Sequence, residues 1–69
     1  MEKIIIRDDF IKLGQALKLA GLVDSGVEAK IQIGEGLVKV NGEVEYQRGK
    51  KIRPDDVIEY DGHKIRVEN

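Results

Sequence analysis

Four cations and no carboxylate fall within residues 46–53, Tyr46-Gln47-Arg48-Gly49-Lys50-Lys51-Ile52-Arg53. The chain as a whole carries 12 Lys+Arg against 13 Asp+Glu, a formal charge of −1, so this segment is a local reversal of sign. Solvated loops ordinarily mix their signs, and a run of one sign suits a polyanionic partner. Arg48, Lys50, Lys51 and Arg53 are therefore candidates for phosphate contacts, with Tyr46 and Gln47 near enough to stack or hydrogen-bond. Lys12, Gln15 and Lys18 share about one third of the circumference of a predicted helix, and Lys30 stands alone on a second. For any single lysine, ordinary solvation is the more economical reading; the combination is what points to an anion.

The means for catalysis are sparse. There is one His, no Cys and one Ser. His63 follows an Asp61-Gly62 turn and Ser25 serves as a helix cap, so no nucleophile and base come together. Asp8-Asp9 and Asp55-Asp56 are adjacent pairs, and capping and turn formation account for them. No His, Asp and Glu spacing suits a metal, and no cofactor is expected. Gly34-Glu35-Gly36 follows a helix instead of a strand and lacks a Lys-Ser/Thr ending, so it is a helix stop and not a phosphate loop.

At 69 residues with 41% apolar and 36% charged positions of both signs, the chain reads as one small globular domain, 1–69. The absence of Cys fits a reducing compartment. The run Ile4-Ile5-Ile6 is too short for the apolar part of a signal peptide, so a cytoplasmic protein without membrane contact is expected.

The elements that must position these residues follow from periodicity. Lys3 to Arg7 reads as a strand. Asp8 or Asp9 is expected to cap a helix near 10–21, with Phe10, Leu13, Leu17 and Ala20 facing the core and Gly21 ending it. Ile11 and Leu19 fall off that stripe and call for either a second contact or a partly apolar exposed face. Ser25-Gly26-Val27-Glu28 matches a capping box, opening a helix over 25–34 that Val27, Ala29, Ile31 and Ile33 would bury on two faces.

Two hairpins follow. A three-residue loop, Val40 to Gly42, would pair Val38 with Val44 and Lys39 with Glu43, keeping apolar residues on one face with Gly42 at a left-handed bulge. The competing two-residue Asn41-Gly42 loop would set Val40 opposite Glu43. Pro54-Asp55-Asp56 suits a tight turn, and a two-residue Asp61-Gly62 loop pairs Ile58 with Ile65 and Glu59 with Lys64. The expected fold class is α+β, two helices packed on a small antiparallel sheet of hairpins. Two helices joined by a short turn also suit a DNA-binding helix-turn-helix, but the second offers only Lys30 and Gln32 as readers, with Glu28 repelling phosphate.

From Lys12 onward the chain resembles the RNA-binding domain named after protein four of the small ribosomal subunit, particularly its small bacterial stand-alone members. The matching residues are Lys12-Leu13 with Leu17, Ser25 with Glu28-Ala29-Lys30, Ile33, Gly36, Val38-Lys39-Val40-Asn41-Gly42, and Pro54 with Asp56-Val57-Ile58. The resemblance implies a two-helix unit on a small sheet that binds structured RNA, ribosomal or transfer RNA, through basic residues of the helices and loop. It further implies a ribosome-associated role in translation, as a monomer. Lys12 stands where Arg is usual in that family, Gly14 where Asp is common, Gly26 where Arg often follows Ser, and Asp55 where Gly precedes Asp. Gly26 removes one guanidinium contact to phosphate, leaving the basic loop to supply most of the binding. The competing reading is a protein-interaction adaptor that uses the basic loop together with an exposed apolar patch at Ile11 and Leu19.

Overall fold

The structure, a computed structural model, describes all residues 1–69. In chain order the elements are β1 (Glu2–Ile5), β2 (Ile11–Lys12), α1 (Leu13–Leu19), α2 (Gly26–Gly34), β3 (Val38–Val40), β4 (Glu43–Val44), β5 (Lys51–Ile52), β6 (Val57–Tyr60) and β7 (His63–Glu68). Five strands form one sheet in the order β1-β7-β6-β3-β4, and β2 pairs with β5 in a separate two-stranded ribbon. The architecture is α+β, as expected. One strand pair departs from the expected pattern: β1 runs parallel to β7, with Ile4 opposite Val67. Both helices and five strands intervene between them, a connection long enough to return the chain in the same direction.

The core is wholly apolar. Leu13, Ala16 and Leu17 of α1 and Ala29 and Ile33 of α2 close over Ile4, Val38, Ile58, Ile65 and Val67 of the sheet, with Ile52 of β5 buried beside them. No polar side chain is buried. A fully buried Ile or Leu contributes about 1.5–3 kcal/mol, and the largest side chains of this core are of that kind, so it outweighs the sparse ion pairing at the surface. Those ion pairs, Lys3–Glu68, His63–Glu2 and Lys64–Glu59, all lie on β1, β6 and β7.

Helix α1 begins later than its sequence pattern implies. Asp8 and Asp9 do not cap it; its N-cap is Lys12, in extended conformation and without a side-chain cap. Ile11 and Lys12 are instead drawn into pairing with Ile52 and Lys51. The orphan N–H groups of the first turn find backbone partners, Leu13 donating to the Lys50 carbonyl at 2.9 Å and Gly14 to the Arg48 carbonyl at 3.1 Å. The other end follows local rules. Gly21, at φ +76, closes a Schellman motif in which Leu22 N–H donates to Leu17 O and Gly21 N–H to Lys18 O, both at 3.0 Å.

Helix α2 starts as read, with Glu28 N–H donating to Ser25 Oγ at 3.1 Å. The Glu28 carboxylate accepts from Asp24 N–H, one residue before the usual partner in a capping box. It is buried on one face only: Ala29 and Ile33 are covered, whereas Val27 and Ile31 are exposed. The sheet lies on one side of the helix pair, and nothing covers the other.

The first hairpin takes the two-residue loop. Val40 pairs with Glu43 and Lys39 with Val44, and Asn41 (φ 52) and Gly42 (φ 87) are both left-handed, the signature of a type I′ turn. The expected apolar match of Val38 with Val44 fails because β4 is a two-residue edge strand with both side chains exposed, so no core face selects the register. Asn41 selects it through the neighbouring chain. Its N–H donates to Val57 O, its Oδ1 accepts from Val57 N–H, and its Nδ2 donates to Asp56 Oδ1, all within 2.8–2.9 Å. The second hairpin forms as read, Ile58 opposite Ile65 and Glu59 opposite Lys64. The Pro54 turn forms too, with Asp56 N–H donating to Arg53 O at 3.0 Å.

Candidate functional site

The basic segment leaves β4, turns over Gln47 to Lys50, where Lys50 N–H donates to Gln47 O at 3.2 Å, and re-enters the fold as β5. Its carbonyls seat the start of α1, so the loop is tied to the helix that carries Lys12, Gln15 and Lys18. The tie is tightened at Gly14. A Cβ there would lie 2.7 Å from Arg48 Cγ and 3.7 Å from Ala29 Cβ, so the absent side chain makes room for the Arg48 stem across the first turn of α1.

The result is a depression of about 330 Å³ lined by Lys12, Gly14, Gln15, Lys18, Gly26, Arg48 and Gly49. It contains three cations and no carboxylate. None of Lys12, Gln15, Lys18 or Arg48 is spent on a side-chain hydrogen bond or ion pair within the chain. A Cβ on Gly26 would meet nothing within 4 Å, so the first turn of α2 leaves the mouth of the depression open. Such a surface presents positive charge and unpaired donors to an anion.

The rest of the basic segment goes elsewhere. Lys50, Lys51 and Arg53 line a second cleft, of about 450 Å³, together with Glu43, Glu45, Asp56 and Asn41. Three cations face three carboxylates there. Asp56 is already engaged, its Oδ2 accepting from Arg53 N–H at 2.8 Å, and Glu45 accepts from Gln47 N–H at 3.1 Å. Lys51 Nζ also lies 4.9 Å from the centre of the Phe10 ring. Lys30 is exposed one helical turn beyond Gly26 and lines neither site, nor does Gln47. Tyr46 rests against Gly36 past the far end of α2, about a helix length from the depression.

His63 Nδ1 lies 2.6 Å from Glu2 Oε2, fastening the start of β1 beside β7. No group of three or more His, Asp or Glu is placed to hold a metal. No helix is long and apolar enough to cross a membrane.

What the sequence reading did not show is the part that Gly14, Gly26 and Gly49 play in shaping the depression by lacking side chains. Gly14 left a local signal of that role, a glycine among good helix formers, which usually answers to a packing demand. Ile11 and Leu19 meet across a separate groove, Ile11 half-buried on the core and Leu19 exposed.

The chain matches the S4 domain family over residues 4–68, and it belongs to that family. It is 42% identical over 57 residues to the Escherichia coli K12 protein named "Putative RNA-binding protein YbcJ", covering 83% of this chain and 81% of that one. Identity is 44% over 59 residues to Bacillus subtilis 168 "Probable ribosome maturation protein RlbA", covering 86% and 83%. The solution structure of E. coli YbcJ, described as revealing an ALFAL motif involved in RNA-binding, superposes with a TM-score of 0.76 at 36% identity over 100% of this chain and 89% of that one. The 30S ribosomal protein S4e of Thermoplasma acidophilum superposes with a TM-score of 0.65 at 30% identity, over 87% of this chain and 32% of its own.

Proposed function

We propose that residues 1–69 act as one non-catalytic RNA-binding module that takes the phosphate backbone of structured RNA into the depression at the start of α1. The observation that carries this reading is the convergence of Lys12, Lys18 and Arg48, from separate parts of the sequence, on a surface free of carboxylates. Phosphate contacts hold RNA in place without reading its bases, and the depression offers one amide, Gln15, for anything more selective. The names of the E. coli and B. subtilis relatives support RNA as the polyanion and the ribosome as its setting; ribosomal RNA is the first class to test and transfer RNA the second. Lys50, Lys51 and Arg53 act as a second, weaker contact, their field offset by Glu43, Glu45 and Asp56. Lys30 and Gln47 lie at the periphery.

The test is direct titration of the full chain with ribosomal RNA fragments and transfer RNA between about 50 and 200 mM salt, where three phosphate contacts give a slope of log K against log salt of about −2 to −3. A flat slope, or no binding at the low-salt end, overturns the reading.

A further inference from the structure

The largest concavity of the molecule is not the basic depression but the groove beside it, about 610 Å³, between the end of β1 and the outer side of α1. Its walls are Ile5, Ile6, Phe10, Ile11 and Leu19, and its rim is Arg7, Asp8, Gln15 and Lys18. Ile5 and Leu19 are 62% and 55% exposed, an apolar surface that the fold does not use. Gln15 and Lys18 line this groove and the basic depression alike, so the two are continuous across one turn of helix.

We infer that the groove receives an unpaired nucleobase of the RNA whose backbone lies in the depression; the inference rests on the RNA-binding reading above. Chemistry favours a base over any other part of a nucleotide. A base has two apolar faces and a polar edge, matching an apolar trough that contains the only Phe of the chain and is bordered by a free amide. Asp8 at the rim repels phosphate but can accept from the exocyclic amine of adenine, cytosine or guanine. Lys51, 4.9 Å from the Phe10 ring centre, holds that ring from the side of the loop. A base can enter only if it is already out of its stack, so the groove selects bulges and loops over continuous duplex.

The experiment compares two synthetic RNA hairpins with the full chain, one with an uninterrupted stem and one with the same stem carrying a single unpaired adenosine. The bulged hairpin should bind about five-fold tighter or more, the lower end of what base–aromatic stacking contributes. Phe10→Leu, which keeps the groove filled but removes the ring, and Leu19→Gln, at an exposed position, should each reduce that preference and leave the affinity for the uninterrupted stem unchanged. Equal binding of both hairpins by the parent overturns the groove inference and leaves the RNA reading standing. So does a preference that survives in both variants, and the groove would then be open to a protein partner. Binding of neither hairpin at low salt overturns both readings together.

Discussion

The acid-free depression at the start of α1 and the mixed-charge cleft beneath the first hairpin hold three cations each, and four of those six come from one eight-residue segment. They differ in what faces the cations. Arg48 is carried over Gly14 to join Lys12 and Lys18, whereas Lys50, Lys51 and Arg53 are turned toward Glu43, Glu45 and Asp56. Charges sharing so small a space overlap well within the Debye length, about 8 Å at physiological salt, so opposed carboxylates cancel much of what an approaching phosphate would feel. Clustering in sequence is therefore a poor guide to clustering of field, because a single turn can send adjacent residues into different electrostatic surroundings.

The comparison breaks most readily through two triple variants. Lys12→Ala, Lys18→Ala and Arg48→Gln together should weaken RNA binding at low salt on the order of 100-fold, at about 1 kcal/mol per lost contact, and flatten the salt slope by about 2 to 3. Lys50→Ala, Lys51→Ala and Arg53→Ala together should cost clearly less. Titrations at several salt concentrations decide between them, and the reverse order would move the site to the loop.

Gly14→Val tests the seam without altering charge. Its side chain displaces the Arg48 stem, so stability should fall by about 1–3 kcal/mol, as overpacking does, and RNA affinity should fall with it. Denaturant unfolding measures the first and titration the second; a Gly14→Val variant as stable as the parent would contradict the close approach at 2.7 Å.

Gly26→Arg sharpens the difference from the other side. The space is open, so a guanidinium there should fold without strain, tighten RNA binding by about 1 kcal/mol, and steepen the salt slope by about 0.7 to 0.9. The smallest effect is expected from Glu43→Gln with Glu45→Gln, which keeps an acceptor for Gln47 N–H while removing two opposed charges. Affinity should rise two- to five-fold, roughly 0.5–1 kcal/mol, and the gain should vanish when Lys50, Lys51 and Arg53 are already neutral.

The two hairpins show how far the sequence could be read. Asp61-Gly62 was legible because Ile58, Glu59, Lys64 and Ile65 make favourable pairs in only one register. Asn41-Gly42 was not, because β4 is exposed on both faces and register passes to Asn41 side-chain bonds with residues 56 and 57. Asp55 is another case. Its φ of 77 lies in the left-handed region that ordinarily favours Gly, a demand set by the Pro54 turn and not visible in local pattern.

By itself the sequence determined the class of fold, the ends of both helices, the capping of α2, the second hairpin and the presence of a concentrated positive segment. These depend on neighbours within a few residues, where periodicity, caps and turn chemistry act. Tertiary structure alone decided where α1 begins, that β1 returns parallel to β7, and which cations share a surface. In each of these the partner lies many residues away: the first N–H groups of α1 are capped by carbonyls of residues 48 and 50, and Arg48 reaches Lys12 and Lys18 because Gly14 leaves room for its stem. Backbone hydrogen bonds must be completed wherever a partner can be brought, and side chains go where packing leaves space, so the site is settled by contacts that no local pattern encodes.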